Sequence, residues 1–167
     1  NGVILGDVIW VNSIIYMYYV GFQLVNKVKF LAFSGLATSS DGGETFQRIQ
    51  EHPILDRCNA ANMINAIHSV LPLPTGGYRV WHAKGDGWQT IDGKKYPKYN
   101  IWSSTSKNGF VISNDAVLCV DTIEPEYRIG RPSIYLIGDS YIMFYTKGST
   151  SGVDYYPGIA LSDDGVR

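Results

Sequence analysis

A short turn motif, Ser-x-Asp/Asn-Gly, occurs three times along the sequence: Ser39-Ser-Asp41-Gly42, Ser106-Lys-Asn108-Gly109 and Ser162-Asp-Asp164-Gly165. Each copy closes the same succession of an apolar strand, a tight turn, an aromatic strand, a polar loop and a strand of small residues. The last copy is the clearest, with Arg131-Pro-Ser-Ile-Tyr-Leu-Ile, a turn at Gly138-Asp139, and Tyr141-Ile-Met-Phe-Tyr145. Upstream the counterparts are Val8-Ile-Trp-Val with Asn12-Ser13, and Ser69-Val-Leu-Pro-Leu with Gly76-Gly77. Several short strands repeating every roughly 60 residues form units that cannot bury their own faces and must stack on one another. The chain therefore reads as all-β: a β-propeller of about three consecutive four-stranded blades, the third incomplete, bounded near 1–56, 57–121 and 122–167.

Composition agrees with that reading and narrows the partners. Twelve Tyr, four Trp and 18 Gly favour aromatic strands and tight turns over helices. A net charge of −1 without a Lys/Arg cluster argues against nucleic acid or an anionic membrane as partner, since both need a basic surface. No apolar run is long enough to span a membrane as a helix, and no signal peptide is visible, so a soluble protein in a cytoplasmic setting is the default reading. Cys58 and Cys119 lie in unlike contexts and are expected as buried free thiols. His52, His68 and His82 are scattered, and no metal or cofactor is assigned.

Local details follow from the repeat register. Residues 59–71 fit a helical stripe as well as a strand, and the register decides for the strand. Residues 47–53 read as an edge strand, and 84–98, with Trp88 inside, as a loop longer than a hairpin needs. Asp41, Asn108 and Asp164 recur once per unit, which marks them as turn formers rather than catalysts. Ser39-x-Asp41-x-Gly43-x-Thr45-Phe46 also fits an Asp-box, a structural turn of sialidase-like propellers. Three blades do not close a ring, so further blades or a second copy are expected to cover open aromatic faces.

The repeated aromatic strand and Ser-x-Asp-Gly turn, with Glu126-x-x-x-x-Arg131-Pro132 before the last copy and Trp81-His-Ala-Lys-Gly85-Asp-Gly-Trp88 in the middle one, resemble the five-bladed β-propeller glycosidases. Glycoside hydrolase families 43, 32 and 130 and their relatives share that architecture. The resemblance covers essentially the whole chain and implies about three of five blades. It also implies a carbohydrate partner in a central channel lined by the first strand of each blade, with carboxylates acting there. The acidic motif that opens the first blade in families 43 and 32 is absent, so a complete catalytic pair is not assigned.

Within that frame the site candidates are few. Glu126 is the candidate general acid, because glycosidic cleavage needs a protonated carboxyl at the leaving oxygen and a second carboxylate across the ring. An ion pair with Arg128 or Arg131 is the competing role. Asp7 is the candidate partner carboxylate, with a loop-capping role as its alternative. Arg131, held extended by Pro132, could fork onto a carboxylate or sugar hydroxyl. Trp81 and Trp88 could stack on a pyranose, Trp81 having inter-blade core as its competing place, and His68 falls at a channel-strand entry. The expected activity is hydrolysis of O-glycosidic bonds, with a non-catalytic or transferase-associated carbohydrate-binding propeller as the alternative.

Overall fold

The computed structural model describes residues 2–167; Asn1, which the first unit at 1–56 included, lies outside the described residues. Among them there is no helix. Eleven strands follow in three meanders. The first comprises β1 (Gly2–Val11), β2 (Ile14–Gln23), β3 (Leu31–Ser39) and the short β4 (Gln47–Arg48); the second β5 (Ile64–Pro72), β6 (Tyr78–Ile91), β7 (Lys94–Ser106) and β8 (Val117–Val120); the third β9 (Glu126–Ile137), β10 (Ser140–Ser149) and β11 (Gly152–Ser162). Pairing within each meander is antiparallel, and only brief parallel bridges join them, β3 to β5 and β7 to β9. The inner strands β1, β5 and β9 lie side by side. The architecture is a partial β-propeller.

Apolar contact between the meanders supplies the core. Tyr18, Leu36, Ile67, Val70 and Val80 form one cluster between the first and second, with Val20, Ala32, Ile64, Ala66 and Ala83 beside it. Trp81, Ile101, Ile129, Ile134 and Met143 form the cluster between the second and third. The two outer faces of the stack stay exposed and apolar, with Val3, Leu5, Val8 and Trp10 at one end and Tyr135, Ile137, Phe144, Ile159 and Leu161 at the other.

The repeated turn has one construction. The Ser39, Ser106 and Ser162 hydroxyls each accept an N–H at 2.9 Å, from Gly43, Gly109 and Gly165, and those glycines all have positive φ, where a side chain would be strained. Asp41 then accepts the Ser39 hydroxyl and both the hydroxyl and the N–H of Thr45, which together hold its carboxyl well below the ordinary range.

The same turns lock neighbouring meanders together. The Tyr18 hydroxyl on β2 donates to the Gly109 carbonyl at 2.7 Å, and the Trp81 indole on β6 donates to the Gly165 carbonyl at 2.9 Å. Tyr18 and Trp81 hold equivalent places, as their cross-strand partners Leu36 and Ser103 each lie three residues before the turn serine. In the third meander that place belongs to Phe144, opposite Ile159, and it is exposed.

Four local expectations need correction. Residues 84–98 are not a loop but the distal half of the β6–β7 hairpin, paired from Gly87–Lys98 to Ile91–Lys94 and closed by Asp92-Gly93, both at positive φ, as a two-residue turn requires. The edge strand at 47–53 stops at Arg48, because the Gln50 amide bonds the His52 and Pro53 carbonyls and bends the chain. Both cysteines are free, but Cys58 is exposed in a tight Cys58–Ala61 turn and Cys119 is half-buried on β8. Arg131 is not extended: its φ is 52°.

Tyr18→Phe keeps the ring and leaves the buried Gly109 carbonyl without its donor, so it should cost about 1–3 kcal/mol. Urea denaturation measures this; an unchanged midpoint would show that the hydroxyl bond contributes nothing to cohesion between meanders.

Candidate functional site

Each inner strand carries a β-bulge, and the three bulges fall at one level. On β1 the extra residue is Gly6, between the pairs Leu5–Tyr19 and Asp7–Tyr18. On β5 it is His68, between Ile67–His82 and Ser69–Trp81. On β9 Arg131 and Pro132 together face one position, between Gly130–Thr146 and Ser133–Phe144. A bulge bends its strand and re-aims side chains. Here the bulges bring Asp7, His68 and Arg131, from three different strands, to the lining of one cavity of about 410 Å³.

The bulges make Asp7, Ser69 and Ser133 equivalent, and two of them do the same work. The Asp7 carboxylate accepts the Val70 N–H at 2.6 Å, and the Ser69 hydroxyl accepts the Ile134 N–H at 3.2 Å, each tying its inner strand to the next. Gly6 permits the approach, since a Cβ there would collide with the Ile67 carbonyl. The other Asp7 oxygen accepts the Val8 N–H at 2.8 Å. Burial pushes the Asp7 carboxyl above its ordinary 3.8, against these two bonds. Asp7 is thus the one carboxyl among three equivalent positions.

His68 and Arg131 also line a second cavity, of about 420 Å³, with Lys29, Tyr96, Tyr99, Arg128 and Tyr155. Arg128 is 5% exposed, its guanidinium 4.0 Å from the Tyr155 ring centre and 4.9 Å from that of Tyr127. Gly148 makes room for it, as a Cβ there would collide with the Arg128 Nε. Tyr99 and Tyr155 hydroxyls meet at 3.2 Å. Burial and the Arg131 charge hold His68 at about 4, so its imidazole is neutral near pH 7.

The other candidates lie elsewhere. Glu126, at the start of β9, pairs with Lys147 at 2.8 Å and accepts the Ile123 N–H, and it lines neither cavity. Desolvation raises its carboxyl, but those two partners outweigh it and the net direction is down. The ion pair uses Lys147, not Arg128 or Arg131. Trp81 is fully buried between the second and third meanders, with no ring face open to a ligand. Trp88 is half-buried outside both cavities, its indole donating to the Met63 sulfur and meeting Phe30 edge-on, so it backs a ring that lines the second cavity. Among the described residues no three metal-ligating groups cluster.

The sequence reading passed over Tyr96, Tyr99, Tyr155 and the place of Arg128. Tyr99 and Tyr155 are regular strand aromatics by composition, and Arg128 is one more charge in a charged stretch. What singles Arg128 out is its burial, together with a glycine directly across the ladder, the pair Gly148–Arg128.

Solved structures share this fold. The complex of BT0996 with RGII superposes with a TM-score of 0.69 at 18% identity, over 94% of this protein and 48% of that one. A family 32 β-fructofuranosidase from Bombyx mori gives 0.73 at 12% identity, over 96% and 34%. A glycosyl hydrolase from Bacteroides ovatus gives 0.54 at 14%, over 90% and 47%. The fold is that of the propeller glycoside hydrolases. The protein spans about half the length of the first and last of these and about a third of the second. No family model and no curated protein matches it by sequence.

Burial makes the site's level of the fold acid-sensitive. His82, 1% exposed and bonded to the Ser104 hydroxyl, is held at about 3, and His68 at about 4, against an ordinary 6.5. A base whose pKa falls on folding binds fewer protons folded than unfolded, so stability drops as pH falls below 6.5. The urea midpoint should be lower at pH 5 than at pH 7, with His82 alone worth about 2 kcal/mol over that window. His82→Gln should lower the difference by that amount and leave the His68 share; an equal slope in the variant would contradict the assignment.

Proposed function

We propose that the protein is carbohydrate-active, takes a sugar in the channel between β1, β5 and β9, and hydrolyses an O-glycosidic bond there. One observation carries the reading. At three equivalent inner-strand positions the chain has Ser, Ser and a single carboxyl, Asp7, which lines a cavity together with His68 and Arg131. Two cavities of about 410 and 420 Å³ share His68 and Arg131, and both fall within the roughly 300–1,000 Å³ of small-ligand sites. The fold held in common with glycoside hydrolases makes glycoside chemistry the natural assignment, by analogy of architecture.

Hydrolysis needs two carboxyl groups about 5–9.5 Å apart. Among the described residues lining the two cavities Asp7 is the only one. We assign the second to a further blade, of the kind that would also cover the exposed apolar faces at either end of the stack. Glu126, held ionised by Lys147, serves the ion pair at the base of β9 rather than as an acid that must carry a proton.

A second reading has its own observation. Asp7 makes the same inter-strand bond that Ser69 makes, so its carboxylate is also a structural tie. If that is its whole role, the protein is a carbohydrate-binding propeller without turnover. Asp7→Ser separates the readings, because it installs the residue of the equivalent positions and removes only the ionisable oxygen pair. On a panel of aryl glycosides, with protein that carries the further blade, the hydrolase reading expects turnover to fall by about 10²–10⁴ with the melting temperature nearly unchanged. Turnover retained in Asp7→Ser would exclude Asp7 from the chemistry. Glu126→Gln, assayed alongside, should keep turnover; its loss at unchanged melting temperature would return the acid role to Glu126.

A further inference from the structure

The cavity that Arg131 and His68 share with Arg128 and Lys29 has a one-sided charge. Three cations line it, His68 is neutral near pH 7, and no carboxylate is among the described lining residues. The chain as a whole carries −1, so this excess is local to the cavity. A concave site of one sign with low-dielectric walls concentrates ions of the other. The nearest acidic side chain on the same strand, Glu126, is engaged by Lys147, and Asp7 lines the other cavity with both oxygens bonded to backbone N–H groups.

Backbone geometry makes Arg131 a built feature rather than an incidental one. Its φ of 52° lies in the left-handed region, where residues other than glycine are strained. Glycine would suit the bulge better, yet the chain places there an exposed side chain with a planar fork of donors. A guanidinium fork matches the two oxygens of a carboxylate. Tyr96, Tyr99 and Tyr155 add aromatic surface of the kind that packs on sugar rings.

We propose that this cavity selects an acidic sugar, a hexuronic acid residue whose carboxylate is received by Arg131, with Arg128 and Lys29 contributing the positive field. The inference rests on the carbohydrate reading above and sharpens it to a substrate class. Recognition is by charge and planarity together, so neutral sugars of the same linkage bind more weakly and added salt weakens the preference.

The test uses the purified protein and immobilised oligogalacturonides and oligoglucuronides, each presented also after chemical reduction of its carboxylates to neutral alcohols. Rings and linkages are then identical and only the charge differs. The expected result is binding to an acidic series that weakens at least about tenfold on reduction, the scale of one charge-assisted hydrogen bond. Arg131→Gly should abolish the acidic preference while leaving the melting temperature unchanged or higher, since glycine relieves the positive φ; a structural role for Arg131 would lower it. Equal binding to the acidic and reduced series overturns the acidic-sugar inference and leaves the carbohydrate reading standing. Retention of a sulfated neutral oligosaccharide in preference to both overturns the carboxylate assignment. No binding to any series overturns both readings.

Discussion

The structure depends on how adjacent blades are tied where no continuous ladder joins them. Inner strands of a propeller converge on an axis with their edges unpaired, and unpaired buried N–H and C=O groups are costly. This protein meets that constraint twice at one register position. Asp7 and Ser69 on the inner strands accept N–H groups of the next inner strand, while Tyr18 and Trp81, their cross-strand partners, donate to the turn carbonyl of the next blade. The recurrent turns present that carbonyl, with serine fixing the loop and glycine supplying the positive φ. At the third copy Ser133 and Phe144 stand at the exposed face, with no such tie among the described residues.

The channel is a by-product of the same register. Bulges one residue away bend the inner strands so that the tie can form, and what bulges out at each blade becomes free to vary. Glycine on β1 lets the strands approach, histidine on β5 is desolvated and kept neutral, and arginine on β9 is held strained with its charge exposed. Repetition thus builds the frame, and departures from repetition mark the candidate site. Asp7 belongs to both, which is why its proposed chemistry and its structural role must be separated by a residue the fold already uses in its place.

Much of the frame was legible because it is periodic: three turns, their strands and the strand identity of 59–71, which the structure confines to Ile64–Pro72, follow from register. The candidate site was legible only where a residue broke the period, as Asp7, His68 and Arg131 do. Glu126 also broke it, but the residue that engages it, Lys147, sits on the neighbouring strand and carries no sequence signal linking the two. Trp88 was misplaced because Lys84–Gly87 contains a bulge that masks the alternation of a long hairpin, although Asp92-Gly93 announces its turn. The aromatic box around Arg128 was invisible for a different reason. Its members come from β7, β9 and β11, and only the bulged, converging geometry of the sheet brings Tyr99, Arg128 and Tyr155 together.

The central claim is that a sugar occupies the space between the inner strands. A crystal structure of the protein with a bound acidic oligosaccharide tests it most directly. The account predicts a sugar ring between β1, β5 and β9 with its carboxylate about 2.7–2.9 Å from the Arg131 guanidinium. A sugar bound on the outer blade faces or beyond the reach of Arg131, His68 and Asp7, with the channel filled by water alone, would contradict it.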